Sequence, residues 1–172
     1  MPIASSDIEY RLSGGASNTD PDAALGGAMS TVGGGLITTA VLNNLFDDVT
    51  GDEGSSGDVE YRCIYIRNNH GSLTLSSAKL WIQTDSASSD SVVDLALGGE
   101  GNGGTAETIA NESTAPSGEV FSHPSNKAAG LDLGDLATTE FYPVWVRRTI
   151  TASASAANND GPTLRVEGDT PA

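Results

Sequence analysis

From Val59 onward, apolar residues recur at every second position, and this period limits the folds open to the chain more than any other feature. In "VEYRCIYIRN", Tyr61, Cys63 and Tyr65 fall on one side and Ile64 and Ile66 on the other. A strand turns successive side chains to opposite faces, so this one is apolar on both and belongs in the middle of a sheet. "NNHG" reads as a turn. "SLTLSSAKLWIQT" resumes as strand, with Ala78, Leu80 and Ile82 on one face and Lys79, Trp81 and Gln83 on the other. "SVVDLAL" groups Val93, Leu95 and Leu97, and "GGEGNGGTAE" is a long glycine loop. "LDLGDL" leads through a turn into "EFYPVWVRRTITA", where Tyr142, Val144, Val146 and Ile150 share parity and Pro143 marks a strand start or a sheet edge. "TLRVEG" closes the series with Leu164 and Val166 inward and Arg165 and Glu167 outward. Hydrophobic residues make up 37 % and aromatics 5 % of the 172 residues, a composition that suits short strands and many turns. The pattern predicts an all-β chain, an antiparallel β-sandwich.

The first third reads differently, and the sequence divides into residues 1–57, an arm with an acidic linker, and residues 58–172, the sandwich. "IEYRL" suits one short strand. Residues 13–35, "SGGASNTDPDAALGGAMSTVGGG", are rich in Gly, Ser and Asp and hold almost no bulky side chains. Such a segment cannot bury enough apolar surface to fold by itself, so it is an arm laid on another surface or a loose linker. "LITTAV" suits a strand, followed by a helical turn at Asn43–Asp47. "DDVTGDEGSSGDVE" holds six acids and no base, kept open by Gly51, Gly54 and Gly57, and reads as an exposed loop.

The formal net charge of −15 repels phosphate backbones and anionic lipid, which argues against nucleic-acid and membrane partners. It suits solubility or a basic protein partner. The single cysteine, Cys63, has no internal disulfide partner. "MPIASSDIEYRL" has neither the basic nor the apolar region of a signal peptide, and "GLITTAVL" is too short to span a bilayer. A chain that stays soluble in the compartment where it is made is the expectation.

Reactive residue types do not combine into a site. Cys63 lies mid-strand and His70 in the following turn; five strand residues at about 3.3 Å each separate them by about 16 Å, whereas a dyad needs about 3 Å. Cys63 is expected as a small buried hydrophobe and His70 as a locally bonded turn residue. His123, in "FSHPSN", is held extended by the proline after it. Two histidines and one cysteine without ligand spacing make a poor zinc set. The EF-hand pattern fails from Asp47, where the third position is Val49, and from Asp48, where Glu53 stands in place of glycine. A looser Ca²⁺ site drawn from Asp47, Asp48, Asp52, Glu53 or Asp58 is the alternative to a solvated acidic loop. "GGEGNGG" lacks the strand–helix context and the lysine of a phosphate cradle, and no nucleophile motif stands in a usable setting. No catalytic residue, cofactor or metal is expected. Arg147 and Arg148 fall on opposite faces of one strand, one outward beside an acid, the other an inward paired arginine or an interface anchor.

The order "YRCIYIRNNHGSLTLSSAKLWI", "DLGDLATTEFYPVWVRRTI" and "TLRVEGDT" resembles an immunoglobulin-like sandwich. The wording of "YRLSGGASNTDPDAALGGAMS" and "VLNNLFDDVTGDEGSSGDVEYRC" resembles small virion structural proteins of tailed bacteriophages, over about residues 8–170. The resemblance implies a non-enzymatic particle protein, present in the virion as a homo-oligomer. The first expectation is a capsid decoration or cement protein whose arm, residues 2–35, binds the major capsid protein or a neighbouring copy through Tyr10, Arg11, Leu12 and Leu25. A tail, baseplate or fibre-associated protein is the second. A carbohydrate-binding module, with Trp81, Trp145 and Tyr142 as a stacking platform, is the third.

Overall fold

A computed structural model describes residues 2–170; the outermost ends of the two predicted units, residues 1 and 171–172, lie outside it. The chain forms an antiparallel β-sandwich. In chain order the elements are β1 (Ile8–Leu12), β2 (Gly26–Gly27), β3 (Leu36–Ile37), α1 (Gly51–Ser56), β4 (Asp58–Asn68), β5 (Leu75–Thr84), β6 (Ser91–Leu97), β7 (Ala106–Thr108), β8 (Leu131–Leu136), β9 (Phe141–Ile150) and β10 (Thr163–Asp169), with single 3₁₀ turns between some of them. The larger sheet runs β3-β1-β4-β9-β6, the smaller β10-β5-β8, and β2 pairs with β7 as a separate ribbon.

Strand β4 sits at the centre of the larger sheet, as its two apolar faces predict. Ile64 and Ile66 enter the core between the sheets with Leu80, Leu95, Leu133, Leu136, Val144 and Val146. Cys63 and Tyr65 point the other way, into a second core with Ala96, Ala106, Ile109 and Trp145. A sheet buried on both faces explains why both parities of β4 are apolar.

The glycine-rich segment covers that second core. Residues 8–12 are a full strand of the larger sheet, paired with β4 from Ile8↔Asn68 to Leu12↔Ile64. Past Leu12 the segment continues along the same edge: Ser13 N–H donates to Cys63 O at 3.2 Å, and Cys63 N–H donates to Ala24 O at 2.7 Å. Ser13, Ala24 and Ser30 are wholly buried. Small residues let the backbone itself pack where side chains would not fit. Gly26 has φ +93°, and a Cβ there would lie 1.7 Å from Glu107 O. The Tyr65 hydroxyl fastens the ribbon, donating to Gly27 O at 2.6 Å and accepting from Ala106 N–H at 2.9 Å. The surface on which the arm lies is therefore this chain's own sheet.

Three local expectations are corrected. The strand expected over "LITTAV" stops at Ile37, and residues 38–50 are turns and coil in which Ala40 and Asn43 adopt positive φ. The acidic loop contains a short helix, α1, because Thr50 and Glu53 form a reciprocal capping box. Pro143 does stand near the start of β9, as its third residue, but that strand is central, between β4 and β6, so the edge alternative fails. Its carbonyl accepts from Gly98 N–H at 2.9 Å, so its backbone polar groups face β6 just past the end of that strand. The missing N–H thus costs no ladder bond to β4.

Candidate interaction surface

The two sheets close on one side and stay apart on the other. Strand β8 approaches β6 and β9, and the edge of β6 is capped by Ser122, which exchanges two backbone bonds with Leu95 at 2.8 and 2.9 Å. On the opposite side β1 and β3 face β10 across a groove of about 780 Å³ with Ile3, Ile8, Tyr10, Ile37, Leu164 and Val166 in its walls. Tyr10 spans the gap, its hydroxyl 3.5 Å from Leu164 O. Burial raises the Tyr10 phenol to about 12. Beside the groove the 38–45 loop leaves two adjacent apolar side chains in solvent, Val41 at 53 % and Leu42 at 64 % exposure.

The four residues expected to touch a partner are not gathered into one patch. Tyr10 lines the groove. Arg11 and Leu12 are buried inside the chain. Arg11 donates to Glu9 at 2.7 Å and to the carbonyls of Ser30 and Val32 at 3.1 and 3.2 Å, holding the glycine-rich segment to β1. Leu25 packs against the second core.

The reactive side chains have structural partners. Cys63 is buried as expected, and burial pushes its thiol pKa up. His70 Nδ1 accepts from the N–H groups of Ser72 and Leu73 at 3.2 and 3.0 Å, the local turn bonding expected of it. His123 bonds Val93 O at 2.8 Å and Asp85 at 3.2 Å, partners it does not share with His70. The expected stacking platform does not form, because Trp145 is fully buried and Trp81 is 7 % exposed. The acids of residues 47–58 also disperse: Asp47 turns to Arg148 and Glu53 caps α1. Among the described residues, no group of three or more His, Cys, Asp or Glu side chains is placed to hold a metal ion.

Both β9 arginines find acids. Arg147 bonds Asp94 at 2.5 Å, with its guanidinium 4.9 Å from the centre of the Phe121 ring. Arg148 is the inward one. Its Nε lies 2.5 Å from Glu60 Oε2, a second nitrogen donates to Asp47 O at 2.7 Å, and Phe46 lies under the guanidinium at 4.8 Å. Glu60 is 1 % exposed and Arg62, beside it on the same parity, is fully buried against Glu112 and Asp22. Burial pushes the Glu60 carboxyl up to about 7, against the pull of Arg148 and Arg62. This cluster ties residues 46–47, 22 and 112 to β4 and β9. The signal for it lies in the alternation: Glu60 and Arg62 share parity with Ile64 and Ile66, and Arg148 shares parity with Val144 and Val146.

Comparison with family models, curated proteins and solved structures yields no match.

Proposed function

We propose that this chain is a non-enzymatic virion structural protein of a tailed bacteriophage, a capsid decoration or cement protein that binds the major capsid protein and stabilises the head. The class comes from the resemblance of its sequence to such proteins, and the immunoglobulin-like reading of the sandwich rests on the same wording. One structural observation supports it best. Cys63 is buried and both histidines and the β9 arginines are taken up by internal bonds, while the groove and the sheet edges beside it remain uncovered. That arrangement suits a surface meant to be covered by another protein.

The mechanism differs from a free arm. Arg11 and Leu12 serve the chain's own fold, so contact with a capsid subunit falls to the outward parts of the N-terminal side: Tyr10, the groove and the Val41–Leu42 loop. Two apolar side chains at a loop tip gain on contact because their burial removes apolar area from water. The net charge of −15 discourages unspecific clumping and disfavours contact with the packaged genome.

Add-back tests the proposal. Heads prepared without this protein should take up the purified chain to saturation and then resist heat better than bare heads. Replacing Val41 and Leu42 together by serine should weaken uptake while the thermal midpoint of the free protein stays put. Heads that take up none of the folded wild-type chain would contradict the proposal.

A further inference from the structure

Strand β10 is an edge strand of seven residues whose outer side is almost bare. Among the described residues no backbone group of another element bonds to it apart from its neighbour β5; the Tyr10 hydroxyl alone meets its outer groups, reaching Leu164 O at 3.5 Å and the backbone of Val166. The direction of its free groups follows from the register. Ile82 N–H donates to Pro124 O, on the side of β5 away from β10. Leu164 is the partner of Ile82, and Val166 of Leu80. In an antiparallel pair, opposed residues both turn their N–H and C=O groups either towards or away from each other. Leu164 and Val166 therefore aim theirs outward.

We propose that β10 pairs with β10 of a second copy of this chain, antiparallel and centred on Val166, joining the two smaller sheets into one. Compared with the registers two residues to either side, this one sets opposite charges together and opposes no like charges. With Val166 opposite Val166, Arg165 stands across from Glu167 of the partner subunit, and the two-fold axis repeats that contact. Sliding one strand by two residues sets either Arg165 against the partner's Arg165, or Glu167 against the partner's Glu167 with Arg165 across from the partner's Asp169; each slide opposes one pair of like charges, which is destabilising. Charges on an edge strand ordinarily discourage pairing; this order of charges favours one pairing over its neighbours. The central valines, with outward N–H and C=O groups, form the pair that exchanges both bonds, displacing the Tyr10 hydroxyl from the Val166 backbone.

The groove favours the same occupant. Leu164 and Val166 of the partner subunit would face the layer occupied by Ile8, Tyr10 and Ile37, covering apolar walls that are open in the single chain. The face is also electrically suited to a like-charged copy. The two acids in the groove walls are held by arginines, Glu9 by Arg11 and Arg67 at 2.7 and 3.2 Å, and Glu167 by Arg165 at 2.5 Å. In a molecule of net charge −15, a locally neutralised face is where a second copy approaches at least electrostatic cost. This inference concerns the free protein and stands whether or not the chain binds capsids; a capsid subunit that uses the groove would displace the second copy from it.

Sedimentation equilibrium of the full chain at physiological salt tests it. A reversible dimer of 17.5 kDa chains is expected. R165E, which opposes two acids at each of the two symmetric contacts, should weaken dimerisation about tenfold or more, and R165E/E167R should restore it. V166P removes an N–H that points away from β5, and should abolish dimerisation while circular dichroism keeps its strand signal. A chain that stays monomeric up to about millimolar concentration, a dimer indifferent to R165E and V166P, or a double swap that fails to restore what R165E weakens would each overturn the proposal.

Discussion

Arg148 and Glu60 meet on the face of β4 and β9 that carries Ile64, Ile66, Val144 and Val146 into the core. Removing one member of such a pair strands the other charge out of water, a loss of about 3–5 kcal/mol. Arg148→Met should show that loss in urea unfolding above about pH 7, where Glu60 is charged, and less below it, whereas an exposed pair such as Lys79–Asp132 should show under about 1 kcal/mol on Lys79→Met. The cluster also carries a pH signature. An ordinary glutamate titrates near 4.5, and Glu60 in the folded chain holds its proton up to about 7. Between those values the folded state binds more proton than the unfolded one. The contribution of Glu60 to stability is thus fully present below 4.5 and is lost as pH rises through 7. Glu60→Gln keeps the group neutral, so the stability of that variant relative to wild type should climb with pH across the window and level off outside it. A difference that is flat with pH would contradict this placement of the proton. Cys63 gives a simpler check: buried and with its thiol pKa raised, it should react with a thiol reagent only at the rate at which the chain unfolds.

At the scale of elements, β1 is the piece whose role the sequence hides. "IEYRL" reads as a strand, yet nothing local says that it hydrogen-bonds to β4, about 55 residues on in the chain. Its consequence is large. Deleting residues 2–35 would bare the edge of β4 and uncover the second core, so the truncated chain should lose its cooperative thermal transition; a well-folded remnant would show that the segment is a separable arm. Leu12→Ala alone should cost about 2–5 kcal/mol by denaturant unfolding, since the side chain is 2 % exposed. The long strands were legible because alternation over many residues is set by the two faces they bury. Ala78, Leu80 and Ile82, and Val93 and Leu95, lie in the core between the sheets as their parity indicates. The glycine-rich segment was not legible, because its order comes from backbone packing and bonds to Cys63 and Tyr65, and small residues carry no periodicity. Pro143 misled for a related reason: proline forbids one N–H bond, and only the end of β6 reveals that none was needed. The buried charges were within reach, since parity places Glu60, Arg62 and Arg148 with the core residues, but their acids from the loops could not be paired from sequence.

For the whole molecule, one side of the sandwich is sealed and the other is open, and the open side joins an apolar groove, an exposed Val41–Leu42 pair and a self-complementary edge. A surface of that kind suits a protein used in many copies on a larger assembly, with its acidic remainder turned to solvent. The most direct test is to count and place the chain in purified particles, by quantitative mass spectrometry together with a reconstruction of the virion. Hundreds of copies spread over the shell, groove side towards the capsid, are expected of a cement protein. A few copies confined to the tail or a vertex, or none at all, would contradict it.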